Sequence, residues 1–124
     1  MKKMIVCALA LAAGAALAQQ AGTFVCGGVG NEDQQRMKAD AHNHALMATF
    51  ATTGGAYVAD VDVQVRRGGN VVLQGHCNGP IMLMDLAPAG QYEVTATAQG
   101  RSEKKTVAVG AGKPASVTFT WPGS

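Results

Sequence analysis

The segment Asn78-Gly79-Pro80-Ile81-Met82-Leu83-Met84-Asp85-Leu86-Ala87-Pro88-Ala89-Gly90-Gln91-Tyr92-Glu93-Val94 constrains this chain most. Two apolar strands are joined there by a tight corner with a proline and a glycine at fixed places. Pro88 cannot extend a ladder and Gly90 permits the backbone to reverse. Leu86 and Tyr92 then plug a core on either side of the corner. A segment built this way demands a sheet, and the rest of the chain must supply its other strands.

Those strands are legible as alternation. In Tyr57-Val58-Ala59-Asp60-Val61-Asp62-Val63-Gln64-Val65-Arg66 the odd positions are apolar and the even ones after Val58 polar, the pattern of a half-buried strand. Arg67-Gly68-Gly69-Asn70 turns it into Val71 to Cys77, and Ile81 to Leu86 follows. Tyr92, Val94, Ala96 and Ala98 share one face of the next strand. Lys104 to Val109 and Ser116 to Trp121 complete the series, with Val117, Phe119 and Trp121 on one face. His44 to Ala51 reads as an earlier strand. About seven short strands, spaced by turns, predict an antiparallel sandwich. Before them, Asn31 is placed to cap a short helix running to about His42. Glu32 and Asp33 lie in its first turn, and Gln34 takes the capping-box position.

Lys2 and Lys3, an apolar run from Met4 to Leu17 and the small-residue exit Ala16-Leu17-Ala18 predict a secretory leader over residues 1–18. The run is too short to span a bilayer, which takes roughly 20 residues, so no integral membrane segment is expected after processing. The protein is expected in the periplasm or secreted. Losing Lys2 and Lys3 takes the ten basic residues to eight, equal to the eight acidic ones. A neutral chain poor in aromatics is not a nucleic-acid binder. The expected layout is a Gly-rich lead and helix over 19–42, a sandwich over 43–121 and a tail over 122–124. Cys26 and Cys77 survive processing, and an oxidising compartment makes their pairing the expectation, with two free thiols as the alternative.

Residues 57–121 resemble the carboxypeptidase regulatory-like domain, a prealbumin-like (transthyretin-like) sandwich. The resemblance rests on Ala59 to Val65, Gly79, the Leu86-x-Pro88-x-Gly90-x-Tyr92-x-Val94 corner, Gly100, Val107, Gly110 and Val117-Thr118-Phe119. The layout of leader, Gly27-Gly28-Val29-Gly30, helix and sandwich is similar to small exported proteobacterial proteins placed in that group. The resemblance implies a seven-stranded antiparallel prealbumin-like β-sandwich with one short N-terminal helix, mainly β, and an exported accessory role without an active site. One relative of this fold hydrolyses 5-hydroxyisourate. Trp121-Pro122-Gly123-Ser124 is superficially similar to that enzyme's ending, but Pro122 replaces the arginine that would hold an anionic substrate. Its histidine segments are absent too, and no catalytic residue or cofactor is expected.

Other chemistry competes weakly. His42, His44 and His76, with Met82 and Met84 and the further donors Met37, Met47 and Cys77, form a nitrogen and soft-sulfur set suited to copper or zinc. Spacing does not unite them, and alternating methionines in a strand more often fill a core or an interface. Asp60 and Asp62 share the polar face of one strand, where a solvated sheet explains them. Gly27 to Gly30 lacks the lysine and preceding strand of a phosphate loop. The expected function is non-enzymatic binding, by sheet edges or an exposed Met82/Met84 face, of an envelope protein partner or a second copy. A soft-metal binder and a carbohydrate or cell-wall binder are the alternatives.

Overall fold

The structure is a computed structural model and describes residues 21–110 and 112–124. The expected leader over residues 1–18 lies outside the described residues. The described chain is mainly β. β1 (Thr23–Gly27) leads into helix α1 (Asn31–Asp40) and a 3-10 turn (Ala41–Asn43). Then come β2 (Leu46–Thr52), β3 (Val61–Arg67), β4 (Asn70–Cys77), β5 (Ile81–Asp85), β6 (Gly90–Ala98), β7 (Arg101–Val109) and β8 (Ala115–Trp121). They form two four-stranded sheets, ordered β1-β5-β2-β8 and β4-β3-β6-β7, in a sandwich-like arrangement.

The core lies between the sheets. Leu46, Phe50, Met84, Phe119 and Trp121 from the first meet Val63, Val65, Leu73, Tyr92 and Val94 from the second, all at most 1% exposed. Within it the Phe50 ring lies 6.0 Å from Phe119 and 6.2 Å from Trp121, spacings typical of tilted aromatic pairs. The opening corner is built as read: Leu86 and Tyr92 are buried, and the Tyr92 hydroxyl donates to the Pro88 carbonyl, so its one polar group is satisfied inside the turn. The Ala87–Pro88 peptide bond is cis.

Three expectations need correction. The described residues form eight strands rather than seven, because Thr23–Gly27, read as a loose lead, pairs antiparallel with β5. The pairing is not wholly antiparallel: β2 and β8 run parallel, Leu46 opposite Ala115 through Thr52 opposite Trp121. The helix starts with Asn31 inside it and no side-chain cap; Gly30, at φ 88°, holds the cap position. The Gln34 N–H donates to the Gly30 carbonyl, and Asp33 accepts from the Gly28 N–H instead of a capping box forming. That bond, and then Arg36, hold the Asp33 carboxyl below the usual carboxylate range.

The β3–β4 hairpin closes on Gly68 and Gly69, both at positive φ, as a two-residue hairpin loop requires. Near the loop Arg66 faces Val71, whereas beyond it Val65 faces Leu73, so Val72 is an extra residue. A bulge leaves its added residue outside the ladder. The Val72 carbonyl accepts the Gly22 N–H at 3.0 Å, tying the entry of β1 to the edge of the opposite sheet. Cys26 of β1 and Cys77 of β4 form a disulfide there, with Cα atoms 5.5 Å apart.

Candidate functional site

Met82 and Met84 do not form a face that a partner could reach. β5 sits between β1 and β2 and is covered on both sides. Met82 and Met84 point into the sandwich core, while Ile81 and Leu83 pack beneath Met37 of α1. All four are at most 1% exposed. The expectation of an exposed methionine face is therefore wrong: a narrow helical stripe, one residue wide at Met37, covers the second side of the strand.

The histidines are also placed apart from these sulfurs. His42 Nδ1 lies 2.8 Å from the Ala39 carbonyl oxygen. His44, just after the 3-10 turn, is bridged: Nε2 lies 3.1 Å from Asp40 at the end of α1, and Nδ1 lies 3.0 Å from Asp85 at the end of β5. His76 on β4 is held in the same manner, Nδ1 2.9 Å from Asp62 and Nε2 3.2 Å from Asp60. A carboxylate only accepts, so a ring with one on each nitrogen donates from both, as imidazolium. Among the described residues no group of three or more His, Cys, Asp or Glu is arranged to hold a metal ion. Asp60 is not on the strand with Asp62, as alternation suggested; it precedes β3 at φ 60°.

These bridges give stability a pH dependence. Burial is the largest influence on His44 and opposes its charge, but the hydrogen bonds to Asp85 and Asp40 outweigh it and raise its pKa above 6.5. The bonds to Asp62 and then Asp60 raise that of His76. Asp40 is lowered, first by Asn43 and then by His44. A raised histidine stabilises fully below its unfolded pKa, about 6.5, and that contribution is lost as pH rises through the higher folded value. A depressed aspartate stabilises above about 3.9 and loses its contribution as pH falls. The chain is thus expected to be most stable between about pH 4 and 6.5 and to weaken through neutrality. His44→Ala should flatten the decline from pH 6 to 8 and lower stability at pH 5.5 by on the order of 1 kcal/mol, the upper range for partly exposed pairs. Urea midpoints across that range read it; an equally steep decline in the variant removes His44 as its source.

The surface with room for a ligand is the outer face of the β4-β3-β6-β7 sheet. Alternation that buries Val63, Val65, Val94 and Ala96 turns Asp62, Gln64, Thr95 and Thr97 outward. Two open concavities adjoin there, of about 940 and 680 Å³, and share Gln64 and Thr95. Gln64 Nε2 donates to Gln74 Oε1 at 3.1 Å, and Arg66 Nε donates to Gln64 Oε1 at 3.1 Å. The Thr97 and Ser102 hydroxyls are 2.6 Å apart. At one end stands the Asp60–His76–Asp62 bridge and at the other Arg66, with Lys104 3.8 Å from Glu93. The trough is thus a lattice of amides and hydroxyls, flanked by charges of both signs. It can hold a polar chain by hydrogen bonds. Sequence reasoning treated these residues as solvated; what it lacked was the ordering of four strands that sets their rows side by side.

Comparison with protein-family models and with curated proteins found no match to this chain.

Proposed function

We propose that this protein is an exported, non-enzymatic binding module of the prealbumin-like, carboxypeptidase regulatory-like kind. Its recognition surface is the outer face of the β4-β3-β6-β7 sheet, and its partner is an envelope protein presenting a polar segment. The observation that carries this reading is the continuous trough rich in side-chain amides and hydroxyls and centred on Gln64 and Thr95, across two central strands, β3 and β6, whose apolar side chains turn inward. The Cys26–Cys77 disulfide is compatible with an oxidising compartment, and among the described residues no helix is long and apolar enough to cross a membrane.

Thr95→Arg, at the point the two concavities share, fills the trough without touching the core. Crosslinking capture from an envelope extract should recover a partner with the unaltered chain and at least tenfold less with the variant, at equal melting temperature. Equal recovery by both would end this reading. Retention on isolated cell wall instead, lost in the same variant, would transfer the surface to a carbohydrate ligand.

A further inference from the structure

The outward side chains of the trough fall in three cross-strand rows. In the first, Asp62 lies opposite His76 of β4 and Thr97 of β6, and Thr97 opposite Ser102 of β7. In the second, Gln64 lies opposite Gln74 and Thr95, with Lys104 beyond. In the third, Arg66 lies opposite Val71 and Glu93, with Thr106 beyond. Neighbouring rows are two residues apart on β3, so the first and third are separated by about 13 Å, at roughly 3.3 Å per residue.

The two ends of this array carry opposite charge. At one, the carboxylates of Asp60 and Asp62 outweigh the single imidazolium of His76. At the other, Arg66 and Lys104 outweigh Glu93. Neither end serves the core: the side chains of Asp60, Asp62, His76 and Lys104 are each more than half exposed, and exposed pairs contribute little to stability. Both ends keep hydrogen-bonding capacity. Each aspartate meets the ring through Oδ1, and a carboxylate accepts at both oxygens. Arg66 donates from Nε to Gln64 and from Nη1 to the Gly69 carbonyl, which leaves Nη2 for a ligand carboxylate. At physiological salt the screening length is about 8 Å, shorter than the span between the ends, so each end acts on its own counter-charge.

We infer that the trough takes an extended polypeptide segment carrying a basic and an acidic side chain four residues apart, the base over Asp60 and Asp62 and the acid over Arg66 and Lys104. This rests on the trough as the binding surface and names what it selects. An extended chain rises per residue as the strand beneath it does, so its first, third and fifth side chains come down on the three rows. The middle one meets Gln64 and Thr95, which both donate and accept, so a polar uncharged side chain suits it. A segment can run over a sheet face in either direction, so the site reads the spacing of the two charges and not their order. The occupant is a polypeptide because a neutral glycan would leave both charged ends without a counter-charge. Electrostatic complementarity of this kind confers specificity more than raw affinity, and the segment lies across the face without extending either ladder.

Titration of the unaltered protein with end-blocked synthetic peptides, followed by amide chemical shifts, tests it. The probe is Ser-Lys-Ser-Gln-Ser-Glu-Ser, and the control is its isomer Ser-Ser-Lys-Glu-Gln-Ser-Ser, with the charges adjacent. The isomer can satisfy only one end at a time, so the spaced peptide should bind about threefold tighter, the value of one exposed ion pair. Asp60→Asn should weaken the spaced peptide about threefold and leave unchanged its analogue with Gln in place of Lys. Asn adopts positive φ as Asp does, so the backbone at φ 60° is kept. Lys104→Gln should act in the same way at the other end, on the analogue with Gln in place of Glu. Equal affinity for the two isomers, or equal losses for charged and neutral peptides, would overturn the inference. Thr95→Arg separates it from the reading beneath it. If that variant abolishes capture of an envelope partner while the isomers bind alike, the trough is retained and the charge spacing is overturned. If capture is unaltered, the trough itself falls and the inference with it.

Discussion

Replacing Cys26 and Cys77 together by alanine is expected to lower the free energy of unfolding by about 4 kcal/mol. The bridge closes a loop with a sequence separation of 51, and on the chain-entropy model a loop of that length constrains the unfolded chain by this amount. Its position adds to the effect. β1 is the outer strand of one sheet and β4 of the other, so the bridge staples both sheets along one flank. Cys77 is fully buried, and removing its sulfur also costs packing. A single domain is stable by about 5–15 kcal/mol, so the loss is a large share of the total. Denaturant midpoints of the double variant and of the reduced unaltered protein should both fall. A loss below about 1 kcal/mol would show that the unfolded chain gains little freedom when the bridge opens.

The opposite flank depends on Trp121, and Trp121→Ala should cost about 3–5 kcal/mol, the range for deleting a large buried aromatic. Its ring is 1% exposed and packs on Phe50, while its N–H, donating to the Arg101 carbonyl at 2.9 Å, links the last strand of one sheet to the edge of the other. Trp121→Phe divides the two contributions. It keeps much of the apolar fill and removes the donor, so about 1–2 kcal/mol should be lost. If Phe costs as much as Ala by thermal and denaturant unfolding, the hydrogen bond dominates; if Phe costs nothing, the bond is dispensable.

Much of this fold is local and was legible for that reason. The Leu86–Val94 corner has its proline, glycine and two core plugs within nine positions, and β6 and β8 show their inward faces by alternation alone. Apart from the Cys26–Cys77 bridge, facts depending on distant partners were not legible. The parallel match of β2 with β8 joins strands from opposite ends of the described chain. Thr23–Gly27 is five residues long beside a glycine run, too short for a period to emerge, and becomes a strand because β5 offers it an edge. The alternation of β5 was visible, but not that α1 would cover its second side and so claim Ile81 and Leu83 as well as the methionines. The candidate trough lay in the same blind spot: each of its residues reads as an ordinary outward polar position until strand order sets Gln64, Gln74 and Thr95 together.

The extra residue Val72 sets the parity of its strand. Counted from the Gly68-Gly69 turn without it, Asp62 would face Gly75, and every β4 side chain beyond the bulge would exchange inside for outside. Cys77 would then point to solvent, away from Cys26, and His76 would enter the core without its two aspartates. Gly75, whose missing side chain makes room for the Phe24 ring, would instead face outward. Oxidation of the cysteine pair therefore proofreads the hairpin: only a chain that has counted Val72 correctly can close the bond, and once closed the bond forbids the miscount.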